Sequence, residues 1–286
     1  MKTVKTMLLA VALGLSLAGV QAGEWGNWRG PNHNGSTEEK DLPAKFSKTQ
    51  GVIWSAPMPG PSAATPIVFG DHVFVSSSNP EEQQLMASCH DRKTGALKWK
   101  HVVAHGHNKD NRSNYAAPSP VTDGQMVSFF YGNGALATYT LDGEKLWSKN
   151  IEKEHGQFAY QWTPSSSPLL HDGTLYMQVL QRNTKVRGRG RDNGQSYILG
   201  FDPKTGEQLW KVYRSAKAKA ESLEAYSTPV PFTHGGREEI LISGGDCMTG
   251  HDPETGRELW RWGTWNPTRI GHWRLVPSPV AGGGVV

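Results

Sequence analysis

The sequence predicts an all-β fold, a β-propeller of four-stranded antiparallel blades, from two recurring segments. The first has the form Asp-x-x-Thr-Gly-x-x-Leu-Trp, is complete at residues 202–210 and 252–260, and recurs in related form at 91–99 and 139–147. Its tryptophans are 48, 63 and 50 residues apart, a spacing that is typical of propeller blades and longer than that of leucine-rich or ankyrin repeats. The second is a Ser-Pro or Thr-Pro pair that precedes each copy.

The Ser/Thr-Pro pair opens a β-hairpin in each repeat. Short apolar segments follow it, and Asp and Gly residues stand between them, a pattern that is typical of hairpins. We therefore interpret each repeat as a first hairpin, a loop, a third strand, the Asp-x-x-Thr-Gly turn and a last strand that carries the tryptophan. The pairs are Thr65-Pro66, Ser119-Pro120, Ser167-Pro168 and Thr228-Pro229.

The turn before each tryptophan has a defined chemistry. The Asp202 side chain can accept backbone N–H groups from the residues that follow it, and a glycine at 206 supplies the positive φ of a tight turn. We expect each tryptophan to pack between adjacent blades, with its indole N–H bonded to the backbone of the neighbouring blade. The predicted docking residues are Trp99, Trp147, Trp210 and Trp260, with the glycines Gly95, Gly143, Gly206 and Gly256.

These repeats assign residues 23–286 to one propeller domain. A fifth repeat begins near residue 276, so about four and a half blades are present, and we expect further C-terminal blades, because an open ring would leave strand edges exposed. Trp54 is expected to belong to the outer strand of the last blade. The complete blades are predicted near 62–103, 117–150, 163–213 and 226–263.

Residues 1–22 have the features of a secretory signal peptide. Lys2 and Lys5 precede an apolar run over 7–15, and small residues lead to Ala22. We expect cleavage before residue 23 and a periplasmic or secreted protein. No later stretch approaches the roughly 20 apolar residues that a membrane-spanning helix needs.

Charge and cysteine content narrow the choice of partners. The net charge is +4, and no basic cluster indicates a nucleic-acid partner. Cys89 and Cys247 fall in the first and fourth repeats, so we expect two free, buried thiols. His105 and His107 lack a third ligand nearby in sequence, and we predict no metal site there. We expect a monomer.

The repeats resemble those of the pyrroloquinoline-quinone-like propellers. The Asp-x-x-Thr-Gly-x-x-Leu-Trp element looks like the tryptophan-docking motif of that family, which includes quinoprotein alcohol dehydrogenases and the outer-membrane assembly lipoprotein. The opening sequence WGNWRGPNHNG resembles that of exported members, and the resemblance covers nearly all of residues 24–286. It implies seven or eight blades in a complete ring, and it is specific for fold rather than for function.

In such a propeller, the loops that join one blade to the next meet at one end of the central channel, where ligands bind. Here these loops are 105–118, 153–164, 215–229 and 263–277. Each places an aromatic residue just before the next inner strand, and polar residues accompany it. The candidate ligand-binding residues are Tyr115, Trp162, Glu221, Glu224, Tyr226, Arg269, His272, Trp273 and Arg274.

Two functions follow from these residues and the resemblance. The first is a noncatalytic exported binding or scaffold protein, whose channel face or blade edges bind envelope proteins, peptides or polymers. The alternative is a quinone-dependent oxidoreductase, in which Trp162 or Trp273 would stack on pyrroloquinoline quinone and Arg269 or Arg274 would meet its carboxylates, with Ca²⁺ bound nearby. The vicinal cysteine pair and the Cys-x-x-Cys-His haem motif found in such dehydrogenases do not occur in this sequence.

Overall fold

Sixteen strands form the core of the protein, a computed structural model that describes residues 23–108, 110–263 and 265–286. The predicted signal peptide, residues 1–22, lies outside the described residues. The strands make up four antiparallel four-stranded sheets, and in each the strands lie side by side in chain order. The prediction of an all-β fold built from four-stranded antiparallel blades is therefore confirmed.

The strand bounds follow the predicted repeats. The first sheet contains β1 (Ile67–Phe69), β2 (His72–Asn79), β3 (Gln84–Asp91) and β4 (Leu97–His105). The second contains β5 (Val121–Thr122), β6 (Met126–Phe130), β7 (Ala135–Thr140) and β8 (Lys145–Asn150). The third contains β9 (Leu169–His171), β10 (Thr174–Val179), β11 (Tyr197–Phe201) and β12 (Gln208–Tyr213). The fourth contains β13 (Val230–His234), β14 (Arg237–Gly244), β15 (Cys247–His251) and β16 (Glu258–Trp262).

Among the described residues, helical structure is confined to two short segments that join successive sheets. The helix α1 spans Ile151–His155, and a 3₁₀ turn spans Ala220–Leu223. Asn150 caps α1, since its side chain accepts the backbone N–H of Lys153 at 2.9 Å. The insertion that lengthens the third repeat lies between β10 and β11, at residues 180–196.

The sheets stack face to face, which explains why the alternation of buried and exposed residues is lost in their middle strands. All five residues of β6 and of β11 are buried, whereas the outermost strands β4, β8, β12 and β16 are partly exposed. Apolar clusters fill the three spaces between successive sheets, around Phe129, Leu175 and Ile242 respectively. The second and third sheets therefore bury both faces of their middle strands.

Two of the predicted docking residues, Trp99 and Trp147, each contact the next of the first three sheets. Trp99 in β4 donates its indole N–H to the carbonyl oxygen of Leu141 in the second sheet, at 2.8 Å. Trp147 in β8 donates in the same way to Pro203 in the third sheet, at 2.8 Å. The ring of Trp147 covers Gly206, where a Cβ atom would come within 2.5 Å of the indole. Only glycine leaves room for the indole at this position, and the backbone φ of 74° at residue 206 also favours glycine.

Trp54 makes the same contact from outside the sheets. Its indole N–H donates to the carbonyl oxygen of Arg92 at 2.8 Å, and its ring covers Gly95 of the first sheet. Trp54 thus lies against the first sheet as the outer strand of a preceding blade would. Trp210 covers Gly256 of the fourth sheet in the corresponding position.

The hydrogen-bond prediction is wrong for the last two tryptophans. No described residue accepts the indole N–H of Trp210, and the equivalent carbonyl, that of Pro253, accepts the hydroxyl of Tyr176 at 3.3 Å instead. Trp260 donates to the Glu239 carboxylate within its own sheet rather than to a neighbouring backbone. Local side chains therefore decide whether each docking bond forms.

The Ser/Thr-Pro pairs are joined by a chain of hydrogen bonds, which we call the hydroxyl belt. The backbone N–H of Thr65 donates to the hydroxyl of Ser119 at 2.9 Å, and that of Ser119 donates to Ser167 at 2.9 Å. The series continues from Ser167 to Thr228 at 3.3 Å and from Thr228 to Ser278 at 2.8 Å. Each pair therefore fixes the start of one inner strand relative to the next. The fifth Ser-Pro pair extends the belt beyond the fourth sheet.

Candidate functional site

A cavity of about 460 Å³ lies beside the hydroxyl belt, and its walls come from the loops between sheets. Aromatic and cationic side chains line it together with the belt hydroxyls, a mixture that suits a ligand with both apolar and anionic groups. Its main lining residues are Trp28, Arg112, Trp162, Tyr226, Arg274 and Val276.

Hydrogen bonds between loops hold these walls in place. The Asp110 carboxylate, in the loop after the first sheet, accepts the backbone N–H and the hydroxyl of Thr163 at 2.6 and 2.7 Å. Ser222, in the loop after the third sheet, donates its hydroxyl to the carbonyl of Ile270 at 2.6 Å. Loops from different repeats are therefore tied to one another before any ligand binds.

Glu224 is the centre of the largest of these junctions. Its carboxylate is fully buried, pairs with the guanidinium of Arg182, and accepts the hydroxyl of Tyr226 at 2.7 Å and the backbone N–H of Gln161 at 3.0 Å. Burial raises the pKa of the Glu224 carboxyl, while these donors act in the opposite direction. Glu224 thus positions the wall of the cavity and has no oxygen directed at a ligand.

Trp162 stands at the centre of a group of arginines. The guanidinium carbons of Arg112, Arg187 and Arg274 lie 5.7, 5.6 and 5.9 Å from the centre of its indole ring. These distances are within the range of cation–π attraction. The Trp162 ring also separates the large cavity from a smaller one of about 80 Å³ that Arg187 borders. We call these four residues the arginine–tryptophan cluster.

The charges of this cluster are only partly neutralised. Arg274 forms an ion pair with Glu221. Burial, and then repulsion by Arg182 and Arg112, lower the pKa of Arg274. Among the described residues, neither Arg112 nor Arg187 has a carboxylate within ion-pair distance. An anionic group that enters the large cavity would therefore meet the guanidinium of Arg112, which has no acidic partner in the described chain, while the unpaired Arg187 borders the smaller cavity.

The other candidate residues fall outside the large cavity. Tyr115 borders the smaller cavity beside Trp162. His272 and Trp273 are exposed and border an adjoining groove of about 320 Å³, which shares Arg274 and Val276 with the large cavity. Arg269 is exposed and has a φ of 54°. The structure thus brings Trp162, Tyr226, Glu221, Glu224 and Arg274 together, and it places Arg269, His272 and Trp273 apart from them.

Three residues of this site did not follow from the sequence. Arg187 belongs to the insertion sequence KVRGRGR, which could equally describe a solvated loop, but a short ladder between Val186 and Arg189 orders it. Arg112 lies in the loop 105–118 without any motif around it. Trp28 lies far from the other lining residues in sequence. The aromatic and basic content of the first two loops was the only available signal.

Two further expectations concern cysteines and metal ligands. Cys89 and Cys247 are free and buried, as predicted. Within the described ranges no group of three His, Cys, Asp or Glu side chains converges in a way that could hold a metal ion. His101 instead stacks on Tyr139, with 5.0 Å between ring centres.

Within the described residues, no helix is both long enough and apolar enough to cross a membrane.

Solved structures with a similar arrangement of strands are distant in sequence. BamB from Moraxella catarrhalis is 16% identical, with 73% of this chain and 51% of that chain covered and a TM-score of 0.45. The quinohemoprotein alcohol dehydrogenase from Comamonas testosteroni is 15% identical, with 71% and 35% covered and a TM-score of 0.48. A europium-containing methanol dehydrogenase is 14% identical, with 69% and 41% covered and a TM-score of 0.47. This chain spans between about a third and a half of their lengths.

The family assignment comes from the sequence itself. No curated protein sequence matches this chain. The family model described as outer membrane protein assembly factor BamB, however, matches residues 37–191, which is more than half of the 286 residues. The matched range contains the first two sheets and the beginning of the third, with the docking residues Trp54, Trp99 and Trp147. The chain therefore belongs to this family of pyrroloquinoline-quinone-like β-propeller repeat proteins.

Proposed function

We propose that this protein is a noncatalytic binding or scaffold protein of the cell envelope, and that its central cavity binds an extended, acidic segment of another envelope protein. The membership of a family described as an outer membrane protein assembly factor supports a polypeptide partner. The predicted signal peptide supports export to the periplasm or beyond.

The observation that carries the proposal is the arginine–tryptophan cluster at the cavity wall. The guanidinium groups of Arg112 and Arg187 lie near the Trp162 ring without a described acidic partner. A peptide carboxylate in the large cavity could pair with the guanidinium of Arg112, while an adjacent aromatic side chain packs on the indole. The rigid loops around the cavity reduce the entropy that binding must overcome.

Calorimetric titration with a designed peptide tests this proposal. The peptide alternates Glu and Phe, and its control alternates Gln and Phe, so that only the charges differ. We expect the acidic peptide to bind more tightly and its affinity to fall as salt is added, since partly exposed charges are screened. Equal affinity of the two peptides, or no binding of either, would contradict the proposal.

Arginine variants locate the binding surface. Arg112→Gln and Arg187→Gln remove charges without leaving a buried carboxylate unpaired, so the fold should be unaffected. Arg112→Gln should weaken binding of the acidic peptide by about tenfold, the usual order for a lost charge-assisted contact. Arg187→Gln should weaken it less, because Arg187 borders the smaller cavity on the Trp162 ring. Arg257→Gln is a matched control, because Arg257 is exposed on the turn between β15 and β16. Equal losses in all three variants would indicate a nonspecific charge effect.

The alternative, a quinone-dependent oxidoreductase, is tested on the same material. A flat polycarboxylate such as pyrroloquinoline quinone could also lie on Trp162 with Arg112 beside it. The protein is mixed with pyrroloquinoline quinone and Ca²⁺ and passed through gel filtration while the absorbance of the cofactor is followed. Coelution of the cofactor with the protein would favour the oxidoreductase, and its separation would favour the binding protein.

A further inference from the structure

The N-terminal segment 24–35 runs across the centre of the propeller rather than along its surface. Trp25 pairs with Val68 of β1 through two backbone hydrogen bonds of 2.8 and 2.9 Å. The next carbonyl, that of Gly26, accepts the backbone N–H of Thr122 in β5 at 2.8 Å. The segment thus adds to the free edges of the inner strands of two successive sheets.

Beyond these bonds the segment reaches the inner strands of the third and fourth sheets. The ring of His33 lies edge-on to that of His171 in β9, with 6.2 Å between ring centres. A gap of only about 10 Å³ separates residues 27–33 from Leu169 and Val230, which begin β9 and β13. The guanidinium of Arg29 donates to the carbonyl of Pro279, at the fifth Ser-Pro pair, at 3.1 Å.

The local sequence of the segment allows this close packing. A Cβ atom at Gly26 would lie 2.9 Å from the carbonyl oxygen of Thr122, so a larger residue would push the chain away from β5. Gly30 has a φ of 71° and lies under the ring of Trp25, where a Cβ atom would approach to 2.6 Å. These two glycines let the segment turn within the width of the opening.

We propose that residues 24–35 close one end of the central channel along the four described sheets, so that Trp28 forms the floor of the cavity. Trp28 is the residue of this segment that lines the large cavity. Its ring carries the guanidinium of Arg29 on one side, 4.5 Å from the ring centre. This arrangement places an aromatic surface opposite the loops that bear Trp162.

Trp28 would be a further binding residue for the acidic, aromatic peptide, and this role of Trp28 rests on the proposed function. A peptide that enters from the loop end of the channel would end against Trp28, since the segment crosses the channel there. The side chain of Phe in such a peptide would then pack against the floor, while its carboxylates remain near the arginines of the loops. Trp28 therefore contributes to affinity through apolar contact rather than through charge.

Peptide binding to Trp28→Ala tests this role. We expect the acidic peptide to bind about tenfold or more weakly, the range of an aromatic anchor, with unchanged dependence on salt. Trp262→Ala is the matched control, because Trp262 is 49% exposed and lies in the outermost strand of the fourth sheet. It should change the affinity less than twofold. Equal affinities of Trp28→Ala and the parent would overturn the assignment of the floor.

Hydrogen exchange tests the closure independently of any ligand. The backbone amides of Val68 and Thr122 should be protected in the parent protein and exchange rapidly in Gly26→Val, which displaces the segment while the Trp28 side chain is retained. Rapid exchange of both amides in the parent would overturn the closure. If the parent protein does not bind the peptide, the proposed function fails, and the exchange measurement alone then supports or overturns the closure of the channel.

Discussion

The contact between Trp147 and Gly206 allows the docking interaction to be measured as an energy. The indole packs against the apolar cluster between the second and third sheets, donates to Pro203, and leaves no space for a Cβ atom on Gly206. We therefore predict that Trp147→Ala and Gly206→Ala each destabilise the protein and that their effects are not additive. A double-mutant cycle isolates this coupling.

The magnitudes follow from the geometry. Truncation of a buried tryptophan to alanine costs about 3–5 kcal/mol, and the lower end applies to Trp147 because it is only partly buried. Gly206→Ala should cost about 1–2 kcal/mol for its positive φ and about 1–3 kcal/mol for the clash with the indole. Removal of the indole abolishes the clash. The double variant should therefore be about 2 kcal/mol more stable than the sum of the single effects predicts.

Chemical denaturation of the four proteins gives the free energies of unfolding. Gly173→Ala provides the control, since Gly173 has a φ of 73°, nearly that of Gly206, but no atom within 4 Å of the position of its Cβ. It should cost only the backbone contribution and should be additive with Trp147→Ala. Additivity of Gly206→Ala with Trp147→Ala to within about 0.5 kcal/mol would refute the docking argument.

Four further predictions concern export, a thiol, pH and the hydroxyl belt. Mass spectrometry of exported protein should show cleavage between Ala22 and Gly23, and an intact N-terminus would contradict the signal peptide. Burial raises the pKa of Cys89 to about 12, so this thiol should resist alkylation at neutral pH until denaturant is added; labelling of the native protein would contradict this. Burial, and then a neighbouring histidine, lower the pKa of His33 from 6.5 to about 4. The unfolded chain therefore binds more protons, and the free energy of unfolding should fall from pH 6.5 to pH 4, with a loss of about 2 kcal/mol at pH 5. The His33→Asn variant should lose less stability over this range. Identical pH profiles of the variant and the parent would refute the assignment. Ser167→Ala should cost about 1–3 kcal/mol, because a buried backbone N–H loses its acceptor, and an unchanged denaturation midpoint would show that the belt bond is dispensable.

Much of the fold follows from the sequence because each blade repeats the same local chemistry. The Asp202 side chain accepts the backbone N–H groups of Lys204 and Thr205 at 2.7 and 2.9 Å, as the turn motif predicts. These bonds lower the pKa of Asp202. The equivalent bonds occur at Asp252. Interactions that span only a few residues can be recognised wherever the same residues recur.

Interactions between repeats are less predictable, because they depend on residues that do not recur. The carbonyl of Pro253 accepts the hydroxyl of Tyr176 rather than an indole N–H, whereas the equivalent carbonyl of Pro203 accepts the indole N–H of Trp147. The same limit applies to the site. The position of Trp28 depends on contacts with inner strands far along the chain, and no spacing in the sequence indicates that residues 24–35 cross the channel.

The division of polar groups explains where recognition can occur. The hydroxyls of Ser119, Ser167 and Thr228 border the cavity, yet each already accepts a backbone N–H of the preceding repeat. They therefore have less capacity for a ligand, and replacing them would disturb the inner strands. Among the described residues, the guanidinium groups of Arg112 and Arg187 have no comparable role, because neither forms a hydrogen bond or an ion pair that holds two strands together. Substitutions in the loops and in the N-terminal segment should therefore alter binding specificity without disturbing the fold. The belt and the docking tryptophans hold the blades in place.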